Sequence, residues 1–161
     1  VWDISEPDGD SIFAHLYGRL MSESMWFHIK EIHQLQGRFT IPEGRLPDGY
    51  YYFKLWVTDS LTQPDGKVTH KVIGPYLLDY TAPEICYTYR DGVYVIKVID
   101  KYSLISHAEY SINLSDWRYI KPEDGIFDDK CETFHIKVEQ NAKLAFRVCD
   151  EHANCAVKTL Q

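Results

Sequence analysis

The side chains of this chain that could do chemistry fall into three groups: carboxylates, histidines and cysteines. Glu6, Asp8 and Asp10 alternate along one turn, and Asp124, Asp128 and Asp129 gather in a second loop. Hard oxygen ligands at alternating positions suit Ca²⁺, so both segments are candidate calcium loops, with Glu6, Asp8 and Asp10 the first choice. Neither has a glycine at the sixth position or a closing bidentate glutamate, and acidic surface turns without an ion are the ordinary case. The histidines His15, His28, His33, His70, His107, His135 and His152 form no HExxH pair. Exposed or strand-filling roles are expected for them. A GxSxG elbow and a Cys-His nucleophile signature are both missing. With 24 acidic residues, a pair of carboxylates for glycoside hydrolysis could always be nominated, so none is singled out. The expectation is a non-enzymatic chain without a cofactor, Ca²⁺ aside.

All four cysteines lie in the second half, and no CxxC pair with zinc spacing occurs. Cys149 and Cys155 flank a turn between two strands. Cross-strand neighbours there bring Cβ atoms to about 4.5–5.5 Å, close enough for a bridge. Cys86 and Cys131 are left as candidates for each other, or all four are core thiols. Among aromatic residues, Tyr50, Tyr52 and Trp56 share the outer face of one strand. Such a row is covered by its neighbours, docks a protein, or stacks on sugar; Trp56 is the residue expected to anchor a docking surface.

The elements that position these groups read as β throughout. Tyr51, Phe53, Leu55 and Val57 alternate with Tyr50, Tyr52, Lys54 and Trp56, the period of a strand with one apolar side. Leu144-Phe146-Val148 and Phe134-Ile136-Val138 repeat the pattern. Strand composition recurs in 12–19, 25–32, 68–78, 85–89, 93–99 and 105–112. Turn chemistry punctuates these runs, most sharply at Arg90-Asp91-Gly92-Val93, the signal of a two-residue hairpin. Asp59 and Asp150, each ending a strand, are placed to cap turn amides. Many short strands with frequent turns predict an all-β sandwich architecture. Pro83 stiffens a connector at about 79–84, so the expectation is two consecutive β-sandwich domains, 1–80 and 84–161.

Composition excludes several classes. Charged residues are 25% and hydrophobic ones 45%, a folded globular balance. The net charge is -7 and the 17 basic residues are scattered, against nucleic acid or an anionic membrane as partner. No run approaches the roughly 20 apolar residues of a membrane helix. Val1-Trp2 without a methionine implies a removed upstream segment or a piece of a longer chain.

VWDISEPDGD followed by Ile12–Tyr17 resembles the opening of fibronectin III-like modules of bacterial envelope and secreted proteins, with Glu6 for the usual first Asp. Leu46-Pro47-Asp48-Gly49 with Tyr51, Phe53, Leu55, Val57 and Asp59 resembles their next segment. Asp79-Tyr80-Thr81-Ala82-Pro83 is similar to the "VDNTPP" linker that joins such modules. In the second half Ile105–Ile112, Trp117 and Pro122–Asp128 look like the next module, and Asp150–Asn154 like its final "DxxGN" hairpin, with Ala153 where Gly is usual. The resemblance implies tandem fibronectin III/immunoglobulin-like sandwiches, often found after a β-propeller. It implies a tyrosine corner at Tyr51, whose hydroxyl would bond backbone before the strand. The function implied is that of structural or docking modules with protein partners, in an extracellular, periplasmic or cell-surface place. A carbohydrate-binding module using the aromatic face, or a subunit of a fibre or surface layer, is the alternative.

Overall fold

The computed structural model describes residues 1–5, 9, 11–59, 67–139 and 141–160. Every regular element among them is a strand: β1 Trp2–Asp3, β2 Phe13–Leu20, β3 Phe27–Ile32, β4 Gln36–Gly37, β5 Gly49–Thr58, β6 Val68–Leu78, β7 Glu84–Arg90, β8 Val93–Ile99, β9 Ile105–Ile112, β10 Arg118–Tyr119, β11 Cys131–Lys137, β12 Leu144–Asp150 and β13 Cys155–Leu160. All pairings are antiparallel. The chain divides into two compact units, Val1–Leu78 and Asp79–Gln161.

The second unit packs the sheet β11-β8-β7 against the sheet β10-β9-β12-β13. Alternate residues of both enter one core: Ile85, Tyr94, Ile96, Val98, Phe134 and Ile136 from the first, Ile105, Ala108, Leu144, Phe146, Val148 and Leu160 from the second. Phe134 and Phe146 touch across the layers with ring centroids 5.2 Å apart. The hairpin predicted at 90–93 is present: Arg90 pairs with Val93, and Asp91 and Gly92 take φ of 54° and 81°. Two successive positive φ values are what a type I′ turn needs, and its twist matches the strands it joins.

The first unit is built differently. Among the described residues its sheet β3-β2-β5-β6 faces only a two-stranded ribbon, β1-β4. The expectation of a second sandwich over 1–80 therefore meets a reduced opposite layer. Fully buried apolar residues are correspondingly few among the described ones: Ala14, Ile32 and Tyr51. An apolar cavity of about 540 Å³ opens on this side, lined among others by Trp2, Leu16, Ile32, Phe39, Phe53 and Leu55. Tyr51 does take the corner position. Its ring is 2% exposed, and its hydroxyl donates to the Pro47 carbonyl at 2.8 Å.

The stiff connector expected at 79–84 belongs to the second unit, which begins at Asp79. Buried Asp79 accepts the Ser103 hydroxyl and the Thr81 amide, and Asn154 Nδ2 donates to the Asp79 carbonyl at 3.1 Å. These bonds explain the boundary. A buried carboxylate is stable only where donors replace its water, and Ser103 and Thr81, both in the second unit, supply them.

Candidate functional site

The outer face of the sheet β3-β2-β5-β6 carries the densest set of interacting side chains in the first unit. The sequence pointed to Tyr50, Tyr52 and Trp56 there. Register adds β2: His15 stands opposite Trp56, Tyr17 opposite Lys54, and Arg19 opposite Tyr52. The β3 side adds Trp26 and His28. The contacts then run in one chain. The Arg19 guanidinium lies 5.0 Å from the Tyr52 ring and 5.3 Å from that of Trp26. Lys54 Nζ lies 4.6 Å from Trp26 and 5.0 Å from Tyr17. Tyr17 meets His28 edge-on at 5.5 Å, His28 meets His15 at 5.3 Å, and His15 meets Trp56 at 5.6 Å.

Each exposed cation–ring contact contributes about 0.5–1 kcal/mol, so the chain of contacts holds its long side chains in place without burying them. Tyr52 and Trp56 are half-buried. Tyr50 is the exception: it is the second residue of the strand, is 40% exposed, and no ring contact among the described residues joins it to the others.

The second unit repeats part of this arrangement at equivalent strands. Glu109 stands opposite Arg147, as Tyr17 stands opposite Lys54. Arg147 covers Trp117 at 4.8 Å, as Lys54 covers Trp26. Arg147 Nε donates to Glu109 Oε2 at 2.9 Å, and His107 Nε2 lies 3.3 Å from Glu109 Oε1. The Arg147 hydrogen bonds hold the Glu109 carboxyl below its usual range, against a smaller opposing effect of burial. A tryptophan under a basic side chain is thus shared scaffolding. What the first unit has alone is the run Tyr17-His28-His15-Trp56.

The calcium candidates Glu6, Asp8 and Asp10 lie outside the described residues. In the second acidic loop the side chains serve the backbone: Asp124 accepts the Ile126 amide at 3.0 Å, and the amides of Asp128 and Asp129 donate to Glu132. Among the described residues one group of three metal-capable side chains converges, Asp79, Asp150 and His152, with ligand atoms within 4.8 Å. The hydroxyl of Ser103 sits between two of them. It donates to Asp79, so the His152 Nδ1 at 2.9 Å must be the donor in the second contact. Asp150 accepts the amides of His152 and Asn154 at 2.9 and 2.8 Å, the capping role expected of it. Asp59 likewise accepts the Lys67 amide.

The Cys149–Cys155 disulfide is present, its Cα atoms 4.1 Å apart on directly paired positions of β12 and β13. The second pairing is corrected: Cys86 and Cys131 are free and exposed. Strand β8 runs between them, with Cys86 opposite Lys97 and Cys131 opposite Ile99. Two strand spacings separate them by roughly 10 Å, beyond the ~7 Å Cα limit for a bridge.

Sequence reasoning named His15 and His28 only as exposed or strand-filling histidines, and missed Tyr17, Arg19 and Trp26 as parts of this face. Only the strand period of 13–20 could have flagged the β2 members, and the neighbour relation of β2 and β5 is not local. No known family model matches the chain, and no curated protein matches it.

Proposed function

We propose that the chain is a pair of non-catalytic interaction modules of an extracellular or cell-envelope protein, and that the outer face of β3-β2-β5-β6 is where the first unit docks a protein partner. The observation that carries this is the contact chain from Tyr52 to Trp56. Trp, Tyr and Arg supply most interface hot spots, and side chains already held by one another lose little entropy on binding. Arg19 and Lys54 make the patch locally basic on an acidic chain, which favours an acidic partner surface. The same cations occupy the ring surfaces of Tyr17, Trp26 and Tyr52 that a sugar would stack on, so the carbohydrate-binding alternative is the weaker of the two. The three-plus-four strand arrangement of the second unit fits the fibronectin III/immunoglobulin-like reading. The disulfide fits an oxidising compartment.

Photocrosslinking tests the reading. Val72, 45% exposed and opposite Lys54 in β6, borders the patch. A photoreactive residue there, in the full-length protein on its own cells, should yield a discrete adduct that Trp56→Ala removes. The same group at Thr88, on the outer face of the other unit, should not yield it. Equal adducts at both positions, or an adduct indifferent to Trp56→Ala, would refute docking through this face. Glycan-array binding lost in Trp56→Ala would transfer the face to the carbohydrate alternative.

A further inference from the structure

The contact between His15 and His28 brings two imidazole ring nitrogens within hydrogen-bond distance of each other on an open sheet face. His15 Nδ1 and His28 Nε2 are 3.2 Å apart, with the rings inclined at 62°. A bulge creates the approach. Strand β3 pairs Lys30 with Leu16 but His28 with Tyr17, leaving Ile29 as an extra residue. Because side chains alternate, one inserted residue turns His28 from the cavity side to the outer face, where His15 already lies.

We propose that His15 and His28 form a binding site for a borderline divalent transition metal such as Zn²⁺. Two imidazole nitrogens bound to one tetrahedral ion at about 2.0–2.1 Å stand about 3.3–3.4 Å apart, and the observed separation lies within about 0.2 Å of that without any ion. Imidazole pairs select Zn²⁺, Cu²⁺ or Ni²⁺ over Ca²⁺ and Mg²⁺, which want oxygen. The site is open to solvent, since His28 is exposed. Water can fill the remaining positions. The rival explanation of the same geometry is a plain N–H···N hydrogen bond. The inference does not depend on what the face docks.

Isothermal titration with ZnCl₂ on the whole chain decides between them, after Cys86 and Cys131 have been alkylated so that no thiol competes. The wild type should bind one equivalent. His15→Gln and His28→Gln should each weaken it by at least about tenfold, the scale on which even supporting groups around a metal count. His152→Gln should leave it unchanged. In long-range ¹H–¹⁵N spectra, Zn²⁺ should shift Nδ1 of His15 and Nε2 of His28. Far-UV dichroism of the variants checks that the sheet persists. Absence of Zn²⁺ heat in the wild type, binding that survives either histidine substitution in a folded variant, or binding lost in His152→Gln alone, would overturn the proposal.

Discussion

Ala153 offers the sharpest test of how the second unit is held. It lies at the tip of the β12–β13 hairpin with φ of 65°, a conformation that L side chains adopt at a cost of roughly 1–2 kcal/mol and glycine adopts freely. Its methyl is exposed, so removing it forfeits almost no burial. Against the relief stands the extra freedom of glycine in the unfolded chain, about 0.4–1 kcal/mol. The difference is a net gain of about 0.5–1 kcal/mol for Ala153→Gly. For a unit of this size each kcal/mol moves the midpoint by about 4–8 °C, so Tm should rise by about 2–8 °C. Differential scanning calorimetry reads this, and the relevant transition is the one that moves when the disulfide is reduced, because Cys149–Cys155 belongs to this unit. Ala156→Gly, three residues on in β13 where φ is ordinary, should lower the same transition. A fall in Tm for Ala153→Gly, or equal effects of both substitutions, would refute the argument from backbone strain.

Three further outcomes follow from named contacts. Tyr51→Phe removes the hydroxyl bonded to the Pro47 carbonyl and should cost the first unit about 0.5–1.5 kcal/mol in urea unfolding. Burial pushes the carboxyl of Glu132 up, with the neighbouring Asp124 and Asp128 adding to it and the Asp129 and Asp128 amides opposing. A carboxyl raised in the folded state contributes its stability below the unfolded pKa and loses it as pH rises through the folded one. Glu132→Gln, whose amide oxygen can keep both amide donors, should therefore raise Tm at pH 7 and flatten the pH dependence just above the ordinary glutamate range. Alkylation without reductant should modify two thiols, Cys86 and Cys131, and four after reduction, as read by mass; reduction itself should cost about 2 kcal/mol for so short a loop.

Much of this architecture is legible in one dimension. Alternation is a local property, so the strands around Tyr51–Val57, Val93–Ile99 and Leu144–Cys149 stand where the period places them. Asp91-Gly92, the corner Tyr51 and the Cys149–Cys155 bridge are equally local, since each depends on residues within six positions of one another. What the tertiary structure alone decided is which strands are neighbours and in what register. Strand β8 standing between β7 and β11 kept Cys86 from Cys131. The pairing of β2 with β5 carries His15, Tyr17 and Arg19 to the row of Tyr52 and Trp56 on β5. The bulge at Ile29 turned His28 outward, and no periodicity marks it. Register is set by contacts far apart in the chain, and a shift of one residue exchanges the two faces of a strand. Face and neighbour, which make the candidate site, are for that reason properties of the folded sheet and not of the segment.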